Sequence, residues 1–390
     1  VQSINELQGH LNFAADAGHA VSSDSDWEPR IIIRNHPIKE SGGDFYNSYS
    51  MGRDCLFLLL GDVSGHDLKA GFISAYFQGM VKGVLDMNGT IADLLSHFNK
   101  HLVDDWNKIC KKGFPEIKTS LACAILSFDF QNNSLVMKNS GCPKPLFSVD
   151  HSMIQEIGSH GPPLGWFRDI DFTIEHYSLG AEKFGCAWVW TDGLEDTAES
   201  LGINPLTLAW YLASEPSDAK RESVLENRVD DILVASVQWS RPHSKEKTLP
   251  IFYQSYEANG LDYVDDHEQH LRRSVQFVFP DLADDAMNAI ALCFREGLIN
   301  ALKHGLKENP EGRAFFSLFY DRFREELIMI LLDEGQGFDP DDKSYYKNIS
   351  VDGHESFGLQ IIRSFAKNLE FRKEGRELYI TLEWSGLSVI

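Results

Sequence analysis

The sequence predicts two consecutive α+β domains, and three observations lead to this fold class. At 390 residues the chain suits two domains of average size better than one. Short apolar segments with strand character alternate with helical segments in both halves of the chain. Between the halves, residues 241–247 are polar, charged and non-periodic, which is typical of an interdomain linker. The predicted division is an N-terminal linker helix at 1–30, a first domain at 31–240, a linker at 241–250 and a second domain at 251–390.

The N-terminal segment has a short helical pattern, in which Ile4, Leu7 and Leu11 share one face. Such a face needs an apolar partner, either another domain or a second copy of the chain, so we predict a homodimer. The chain begins at Val1 and not at a methionine, and we expect a sensor upstream, such as a response-regulator receiver domain. The helix would then relay the state of that sensor to the first domain.

Strand and helix candidates follow along both domains. A capping-box pattern from Thr90 to Asp93 opens one of the helices of the first domain. The second domain combines two helices and three strands with a glycine-rich loop. The first domain has strand candidates at 55–61, 120–130, 134–138, 186–191 and 231–239 and helix candidates at 67–85 and 91–106; the second has helices at 283–304 and 358–368 and strands at 314–320, 326–333 and 377–384.

Composition limits the classes of function. A net charge of −22 argues against binding to nucleic acid or to an anionic membrane surface, because both attract basic patches. No apolar stretch is long enough to span a bilayer, and the N-terminus has no signal-peptide pattern. The six cysteines show no CxxC pairing and several lie in apolar segments. We therefore expect reduced, buried thiols in a cytoplasmic protein.

Aspartates follow apolar strands at several places in the first domain. Asp62 ends the strand around Leu58–Leu60, and Asp192 follows the apolar segment that ends at Trp190. Any single Asp-Gly pair is more often an ordinary turn. As a set, however, carboxylates brought from strand ends to a common rim form the oxygen-lined site that Mg²⁺ or Mn²⁺ prefers. Two such ions can activate water for attack on phosphorus, which predicts a metal-dependent phosphohydrolase.

These residues resemble a known family, the PPM-type serine/threonine phosphatases, and within it the SpoIIE-like branch. The resemblance covers residues 31–239 and implies an αββα sandwich with a dinuclear Mn²⁺ or Mg²⁺ centre between its sheets. It rests on six ordered motifs, namely Gly42-Gly43-Asp44-Phe45-Tyr46, Gly61-Asp62-Val63-Ser64-Gly65-His66, Asn139-Ser140-Gly141 with Pro143 and Pro145-Leu146, Pro163-Leu164-Gly165, Thr191-Asp192-Gly193-Leu194-Glu195 and Asp230-Asp231-Ile232.

The resemblance also implies residue roles in phosphoserine or phosphothreonine hydrolysis. Asp62 would bridge the two metals, with the backbone carbonyl of Val63 beside it. Asp44, Asp192 and Asp230 would be further ligands, directly or through water. Asp231 is the alternative ligand if the last motif is displaced by one residue.

Three positions depart from the family pattern. Asp67 stands in place of a second glycine, Cys142 in place of a histidine, and Asn47 in place of an aspartate. None of these changes removes an expected metal ligand. We interpret His66 as a loop residue and not as a base, and Cys142 as a buried thiol and not as a nucleophile, because the sequence offers it no partner base.

A second group of polar residues lies on the helix at 283–304. Glu296, Asn300 and His304 recur every four residues, on a stripe away from the apolar face. A solvated polar face is the ordinary explanation of such a stripe. Asp333, which ends the next apolar strand and begins a glycine-rich loop, favours a nucleotide site instead. The apolar face itself is predicted from Met287, Ile290, Ala291, Phe294, Leu298 and Ala301.

This combination resembles the GHKL (Bergerat-type) ATPase fold, an α/β sandwich, and within it the anti-sigma-factor serine kinases. The resemblance covers residues 251–390 and implies ATP with Mg²⁺ as ligand. Glu296 would polarise a serine hydroxyl or position water, Asn300 would hold Mg²⁺ and Asp333 would bind adenine. The binding motifs also include His304, Gly335, Gly337 and Gly358. The phosphate loop departs from the family, because Ser356 replaces a glycine ahead of Gly358.

Together the two resemblances predict a bifunctional partner-switching regulator. The first domain would dephosphorylate a serine on a STAS-type anti-sigma-factor antagonist, and the second would phosphorylate it or bind a sigma factor. A rival prediction makes the second domain a non-catalytic binding module that sequesters a sigma factor or an antagonist. A third makes the first domain an inactive relative, which its intact set of acidic residues argues against.

Overall fold

A computed structural model of the protein describes residues 28–38, 42–50, 54–65, 68–106, 119–149, 152–180, 184–214, 218–240, 248–339 and 357–383. These residues form two compact units. The first unit draws its described residues from Val1–Asp150, Gln155–Thr197 and Ser217–Ser244. The second draws them from His151–Ile154, Ala198–Pro216 and Lys245–Ile390.

The first unit contains two antiparallel five-stranded sheets. Its strands are β1 (Glu28–His36), β2 (Asp44–Ser50), β3 (Cys55–Val63), β4 (Leu121–Asp129), β5 (Ser134–Ser140), β6 (Leu146–Val149), β7 (Gln155–Glu156), β8 (Glu175–Ser178), β9 (Phe184–Trp190) and β10 (Ile232–Ser240). One sheet has the order β1-β10-β9-β6-β7, and the other has the order β2-β3-β4-β5-β8.

Strand β3 explains how the core of this unit is built, because both of its faces are buried. Leu56, Leu58 and Leu60 pack in a cluster with side chains of β9 and β10 from the other sheet. The alternate residues Phe57 and Leu59 pack in a second cluster with helical side chains. Successive side chains of a strand point to opposite faces, so an uninterrupted apolar run is what a strand covered on both faces requires.

Two helices cover the outer face of the β2–β5 sheet, namely α1 (Leu68–Asp86) and α2 (Ile91–Lys100). The predicted capping box at the start of α2 is confirmed. The Asp93 amide donates to Thr90 Oγ1 at 3.1 Å, and the Thr90 amide donates to Asp93 Oδ2 at 2.8 Å. Beyond α2 the chain continues as a π-helical turn, His101–Trp106, so the predicted helix at 91–106 changes its hydrogen-bond pattern near its end.

Further along the chain, α3 (Asp192–Leu201) begins directly after β9, and α5 (Asp218–Leu225) precedes β10. Between them lies α4 (Pro205–Ala213), which belongs to the second unit. Asn204 caps α4, since its side-chain oxygen accepts the Leu206 amide hydrogen at 3.1 Å.

The second unit contains one antiparallel sheet with the order β11-β12-β13-β15-β14. A β-bulge lies between Pro250 and Phe252 on the edge strand β11, where a proline is tolerated because one side of the strand has no partner strand. The strands are β11 (Thr248–Glu257), β12 (Arg313–Asp321), β13 (Glu326–Asp333), β14 (Asn368–Arg372) and β15 (Glu377–Glu383).

The helices of the second unit are α4, α6 (Val264–Val278), α7 (Asp284–Lys303) and α8 (Phe357–Phe365), with short 3-10 helices at Ala258–Tyr263 and Gly305–Glu308. Helix α7 contacts β12, β13, α6 and α8. The apolar face predicted for this helix is confirmed, because all six of its residues are buried: Met287, Ile290, Ala291, Phe294, Leu298 and Ala301.

Helix α4 covers the outer edge of β11 with polar side chains. Asn204 Nδ2 donates to the Tyr253 carbonyl at 2.8 Å, and Thr207 Oγ1 donates to the Ile251 carbonyl at 2.7 Å. These contacts satisfy carbonyl groups that an exposed edge strand would leave unpaired. They also explain why residues 198–214, which the predicted division placed in the first domain, pack with the second unit.

Sequence analysis did not predict strands β1, β2, β6, β7, β8, β11 and β14 or helices α3, α4, α5 and α6. The predicted linker helix at 1–30 lies outside the described residues except for its end, where Glu28 already begins β1, so the proposed start of the first domain at residue 31 falls inside a strand. Every described helix is too short or too polar to cross a bilayer.

Candidate metal centre and nucleotide site

Asp44 and Asp62 form the centre of the acidic site in the first unit. Asp44 is the first residue of β2, and the β2–β3 ladder pairs it directly with Asp62 near the end of β3. Directly opposed residues on neighbouring strands have their Cβ atoms about 4.5–5.5 Å apart. The two carboxylates that the sequence placed at strand ends therefore meet at the same edge of one sheet.

Burial and mutual repulsion make these carboxylates hard to ionise. Burial raises the pKa of Asp44 well above its ordinary value, and the neighbouring Asp62 adds to the effect. Burial likewise raises the pKa of Asp62 to about 7, with further contributions from Asp192, Asp230 and Asp231. Among the described residues, the charged side chains that shift these two pKa values are all aspartates, so a cation is the counter-charge that the site would accept.

Gly43 lets the backbone approach this acidic pair. A Cβ atom on Gly43 would lie 2.2 Å from the Val63 carbonyl oxygen and 2.9 Å from Asp62 Oδ1. Both predicted ligand oxygens thus pack against the glycine Cα, where no other residue fits. The Val63 amide also donates to the Gly43 carbonyl at 3.1 Å, which fixes the end of β3 to the start of β2.

Thr191 orients Asp44 from the other sheet. Its hydroxyl donates to Asp44 Oδ2 at 2.8 Å and accepts the Leu233 amide hydrogen at 3.1 Å. Asp192, the next residue, opens α3, and burial raises its pKa, with Asp230 as the second cause. Thr191 belongs to one of the six motifs, but the motif assigns it no role. The signal available in the sequence was a hydroxyl residue between an apolar strand and an aspartate, and the structure shows that this residue is buried.

Asp230 and Asp231 are adjacent but lie in different environments. Asp230 is exposed, and its charge acts on Asp62 and Asp192. Asp231 is 5% exposed and accepts backbone hydrogen bonds from Ile38 at 2.7 Å and from Gly43 at 3.1 Å. Of the two residues that the sequence offered for one ligand position, Asp231 is thus committed to backbone amides and Asp230 is open toward the acidic centre.

The acidic residues are close but do not form a closed coordination shell. Among the described residues, no three His, Cys, Asp or Glu side chains surround one point as metal ligands do. The donor set is nonetheless the oxygen-rich set that Mg²⁺ and Mn²⁺ prefer, with carboxylates and one backbone carbonyl. The oxygen ligands are therefore of the type that such ions prefer, and the side chains would have to rotate to complete a coordination shell.

Two of the three residues that depart from the family pattern form hydrogen bonds with residues that are not part of the acidic centre. Cys142 is buried, its amide donates to Asn139 Oδ1 at 3.1 Å, and burial raises the pKa of its thiol well above the ordinary value. Asn47 donates to the Tyr49 hydroxyl at 2.9 Å. His66 and Asp67 lie outside the described residues.

The second unit contains a cavity of about 360 Å³ between α7, the end of β13 and the turn that joins β14 and β15. Four of the predicted nucleotide-binding residues line it: Asn300, His304, Asp333 and Gly337. Apolar side chains and a few polar groups share the lining, as is typical of small-molecule sites.

Asp333 is held at the start of the glycine-rich loop, as the last residue of β13. Its Oδ1 accepts the Gly335 amide hydrogen at 2.9 Å. Burial raises the pKa of Asp333, which the Gly335 hydrogen bond and the charge of Arg376 partly offset. A Cβ atom on Gly305 would lie 2.4 Å from Asp333 Cγ, so this glycine allows the carboxylate to pack against the end of α7.

The polar stripe of α7 is divided between the cavity and its border. Asn300 Nδ2 is buried and has no hydrogen-bond partner among the described residues, which is what a ligand-binding amide needs. Burial lowers the pKa of His304, and Lys303 and Lys307 add to this. Glu296 lies beyond the cavity lining and packs against Gly358, where an added Cβ would be 2.5 Å from Glu296 Oε2.

Sequence reasoning missed one wall of this cavity. Phe371, Gly375 and Arg376 come from the β14–β15 hairpin. The Phe338 amide donates to the Glu374 carbonyl at 2.8 Å, which ties the glycine-rich loop to this hairpin. The hairpin is far from α7 in sequence and carries no nucleotide motif, so only the sheet order β13-β15-β14 brings it to the site.

The first unit thus contains two sheets and a buried acidic site, and the second contains one sheet and a cavity lined by the predicted nucleotide-binding residues. Two protein-family models match consecutive parts of the chain. Residues 52–240 match the family Stage II sporulation protein E (SpoIIE), and residues 265–384 match the histidine kinase-like ATPase domain. The chain therefore carries a segment that matches the SpoIIE model, followed by one that matches the histidine kinase-like ATPase model, in the order that the sequence motifs predicted.

Individual relatives are distant. The phosphoserine phosphatase RsbP of Bacillus subtilis (strain 168) is 21% identical over 161 residues, which is 41% of this chain and 38% of that protein. The structure of the RsbU and RsbW domains of Rv1364c from Mycobacterium tuberculosis has 15% identity and a TM-score of 0.41, covering 91% of this chain and 92% of that one. The SiaA-PP2C domain of Pseudomonas aeruginosa has 15% identity and a TM-score of 0.43, covering 62% of this chain and 96% of that domain.

Proposed function

We propose that the first unit is a Mn²⁺- or Mg²⁺-dependent phosphatase acting on a phosphoserine of a partner protein. The observation that carries the proposal is the buried pair Asp44 and Asp62, whose pKa values are raised by burial and, among the described charged residues, by further aspartates. A buried group of acids is costly unless a cation meets it. The phosphoserine phosphatase RsbP, to which part of this chain is similar, supports the substrate class.

Asp62, Asp44, Asp192, Asp230 and the Val63 carbonyl would hold the ions in this proposal. Bound divalent ions supply an activated water and offset charge on the phosphoryl oxygens. The chain itself contributes the positions of the ligands: the β2–β3 ladder sets the spacing of Asp44 and Asp62, and Thr191 fixes the rotation of the Asp44 carboxylate. Gly43 keeps the Val63 carbonyl accessible at close range.

Phosphate release from a phosphoserine peptide, with and without Mn²⁺, tests this proposal. Asp62→Ala and Asp192→Asn should each lower the rate by about 100-fold or more, as loss of a catalytic ligand does. Asp86→Asn is the matched control, because the Asp86 side chain is 64% exposed and forms a surface ion pair with Lys82 on α1. Full activity in both site variants would overturn the metal-site assignment.

We further propose that the second unit binds ATP with Mg²⁺ and phosphorylates the same partner, a STAS-type anti-sigma-factor antagonist. The buried, unpartnered amide of Asn300 in a cavity that also holds Asp333 supports nucleotide binding. Asn300 would hold Mg²⁺, Asp333 would accept the adenine amino group, and Glu296 would polarise the serine hydroxyl. In this proposal the protein is a cytoplasmic homodimer, and an input domain gates the opposed activities so that they do not hydrolyse ATP without effect.

Incubation with γ-labelled ATP and a candidate antagonist tests the kinase step. Label should appear on a serine of the antagonist, and Glu296→Gln and Asn300→Ala should remove it. Glu311→Gln is the control, since Glu311 is an exposed acid of the same unit. The labelling experiment is run with Asp62→Ala in the background, so that phosphatase activity does not erase the product.

A second candidate function for this unit is a non-catalytic module that sequesters a sigma factor or an antagonist. Ser356 favours it, because this residue replaces a glycine in the phosphate loop that the family uses. Measurable ATP binding together with absence of label on any antagonist, and co-elution of the partner with the protein, would support this function over the kinase.

A further inference from the structure

Asp231 is a buried acid that the proposed chemistry does not use. It is the residue immediately before β10, and it is 5% exposed. Each of its carboxylate oxygens accepts one backbone hydrogen bond, Oδ1 from the Ile38 amide at 2.7 Å and Oδ2 from the Gly43 amide at 3.1 Å. Charge-assisted hydrogen bonds of this kind are about twice as strong as neutral ones. The carboxylate therefore holds two points of the segment that leads into β2.

This segment is shaped to fit the carboxylate. A Cβ atom on Gly42 would lie 2.2 Å from Asp231 Oδ2, so any side chain at position 42 would displace the acid. The carbonyl group of Gly43 accepts hydrogen bonds from the Val63 amide at 3.1 Å and from Ser74 Oγ at 2.7 Å. Gly43 is thus fixed on both sides, by Asp231 at its N–H group and by β3 and α1 at its carbonyl.

The residues next to this fixed point are the proposed metal ligands. Gly43 directly precedes Asp44, and Val63 directly follows Asp62. Movement of Gly43 would therefore shift Asp44 relative to Asp62. It would also remove the close contact between Gly43 and the Val63 carbonyl oxygen. A displacement of about 1 Å in a catalytic constellation can cost about 100-fold in rate.

We propose that Asp231 is a positioning residue of the phosphatase site, which holds Gly42–Gly43 so that Asp44 meets Asp62, and that it is not a metal ligand. The inference rests on the proposed phosphatase function. Both oxygens of Asp231 accept hydrogen bonds from distant backbone amides, whereas among the described residues the exposed Asp230 accepts one hydrogen bond, from the adjacent Asp231 amide at 2.8 Å. In this proposal Asp231 holds the backbone and Asp230 binds the ions.

Amide hydrogen exchange of the metal-free full chain tests the positioning role without any catalysis. Asparagine at position 231 keeps one acceptor oxygen and turns an NH₂ group toward the second amide. Exchange at Gly43 or Ile38 should become about tenfold faster in Asp231→Asn, as loss of one charge-assisted hydrogen bond predicts. Asp230→Asn should leave both amides at the wild-type rate, and thermal unfolding establishes that each variant is folded.

Kinetics and Mn²⁺ binding separate positioning from ligation. Asp231→Asn should lower kcat about tenfold at unchanged KM for the phosphopeptide, and excess Mn²⁺ should not restore it. Gly42→Ala should reproduce this pattern, because it displaces the same carboxylate without removing a charge. Asp230→Asn should instead weaken Mn²⁺ binding, measured by electron paramagnetic resonance of the free ion, by about tenfold or more.

Two results would overturn the inference. One is unchanged exchange at both amides in Asp231→Asn. The other is a loss of Mn²⁺ affinity in Asp231→Asn equal to that of Asp230→Asn and reversed kinetically by excess Mn²⁺, which would make Asp231 a ligand. Failure of the phosphatase proposal is distinguishable, since the wild-type protein would then release no phosphate while the exchange experiment would still report on the contact.

Discussion

Replacing Asp62 by asparagine should stabilise the metal-free protein, and the gain should depend on pH. The pKa of Asp62 is raised from its ordinary value of 3.8 to about 7, mainly by burial and then by Asp192. The folded state therefore binds this proton more tightly than the unfolded state. The stabilisation that the protonated form provides is complete below about pH 4 and is lost as the pH rises to about 7. Asparagine resembles the neutral acid at every pH.

The magnitude follows from the difference between the two pKa values. At about 1.4 kcal/mol per pH unit, ionising Asp62 in the folded protein costs about 4 kcal/mol above pH 7. Asp62→Asn should thus have nearly the wild-type free energy of unfolding at pH 4 and should exceed it by up to about 4 kcal/mol at pH 8. Because Asp62 also raises the pKa of Asp44, the substitution relieves part of that cost as well.

Urea unfolding in the presence of a chelator measures this difference at pH 4.5, 6 and 8. Tryptophan fluorescence reports on the first unit through Trp188 and Trp239, which are 1% exposed. Asp86→Asn provides the control for removal of a surface charge. On the proposed metal-site assignment, added Mn²⁺ should reverse the order, because Asp62 would bind the ion in the wild-type protein and asparagine would not. An equal difference at all three pH values would refute the electrostatic account of the site.

Three further predictions concern single contacts. Thr191→Val should lower kcat/KM for a phosphopeptide by about tenfold in a steady-state assay, because Asp44 loses its hydroxyl donor while the fold keeps a side chain of similar shape. Thiol reagents should leave the native protein active and unlabelled at Cys142 and Cys123 by mass spectrometry, since both are buried and burial raises the pKa of Cys123 to about 12; rapid labelling would contradict this. Gly305→Ala should weaken ATP binding by about tenfold or more in calorimetry, because its Cβ would lie 2.4 Å from Asp333 Cγ, and it should leave phosphate release by the first unit unchanged.

The parts of the fold that could be predicted are those in which one strong physical pattern decides the structure. The apolar run at Leu56–Leu60 requires a strand with both faces covered, and the period of α7 places its apolar face before any contact is known. Helix α4 was missed because Leu206–Leu212 is buried on every side, so it has no amphipathic period to detect. Its membership of the second unit depends on Asn204 and Thr207, whose hydrogen bonds to β11 leave no signal in the sequence.

The acidic site shows a similar limit at finer scale. The sequence places Asp44 and Asp62 at strand ends, but only the β2–β3 register makes them neighbours. For the adjacent pair Asp230 and Asp231 the sequence gives two equivalent acids, and no motif distinguishes them. Neighbouring residues at a strand start point in different directions, so only one of them can face the backbone of the Gly42–Gly43 segment. The glycines are the part of that contact that could be predicted from sequence, since a pair of glycines before Asp44 indicates that another group of the protein approaches the backbone closely. The partner that approaches, an aspartate 188 positions away, is fixed by the pairing of β1 with β10 and therefore by the strand order of the sheet.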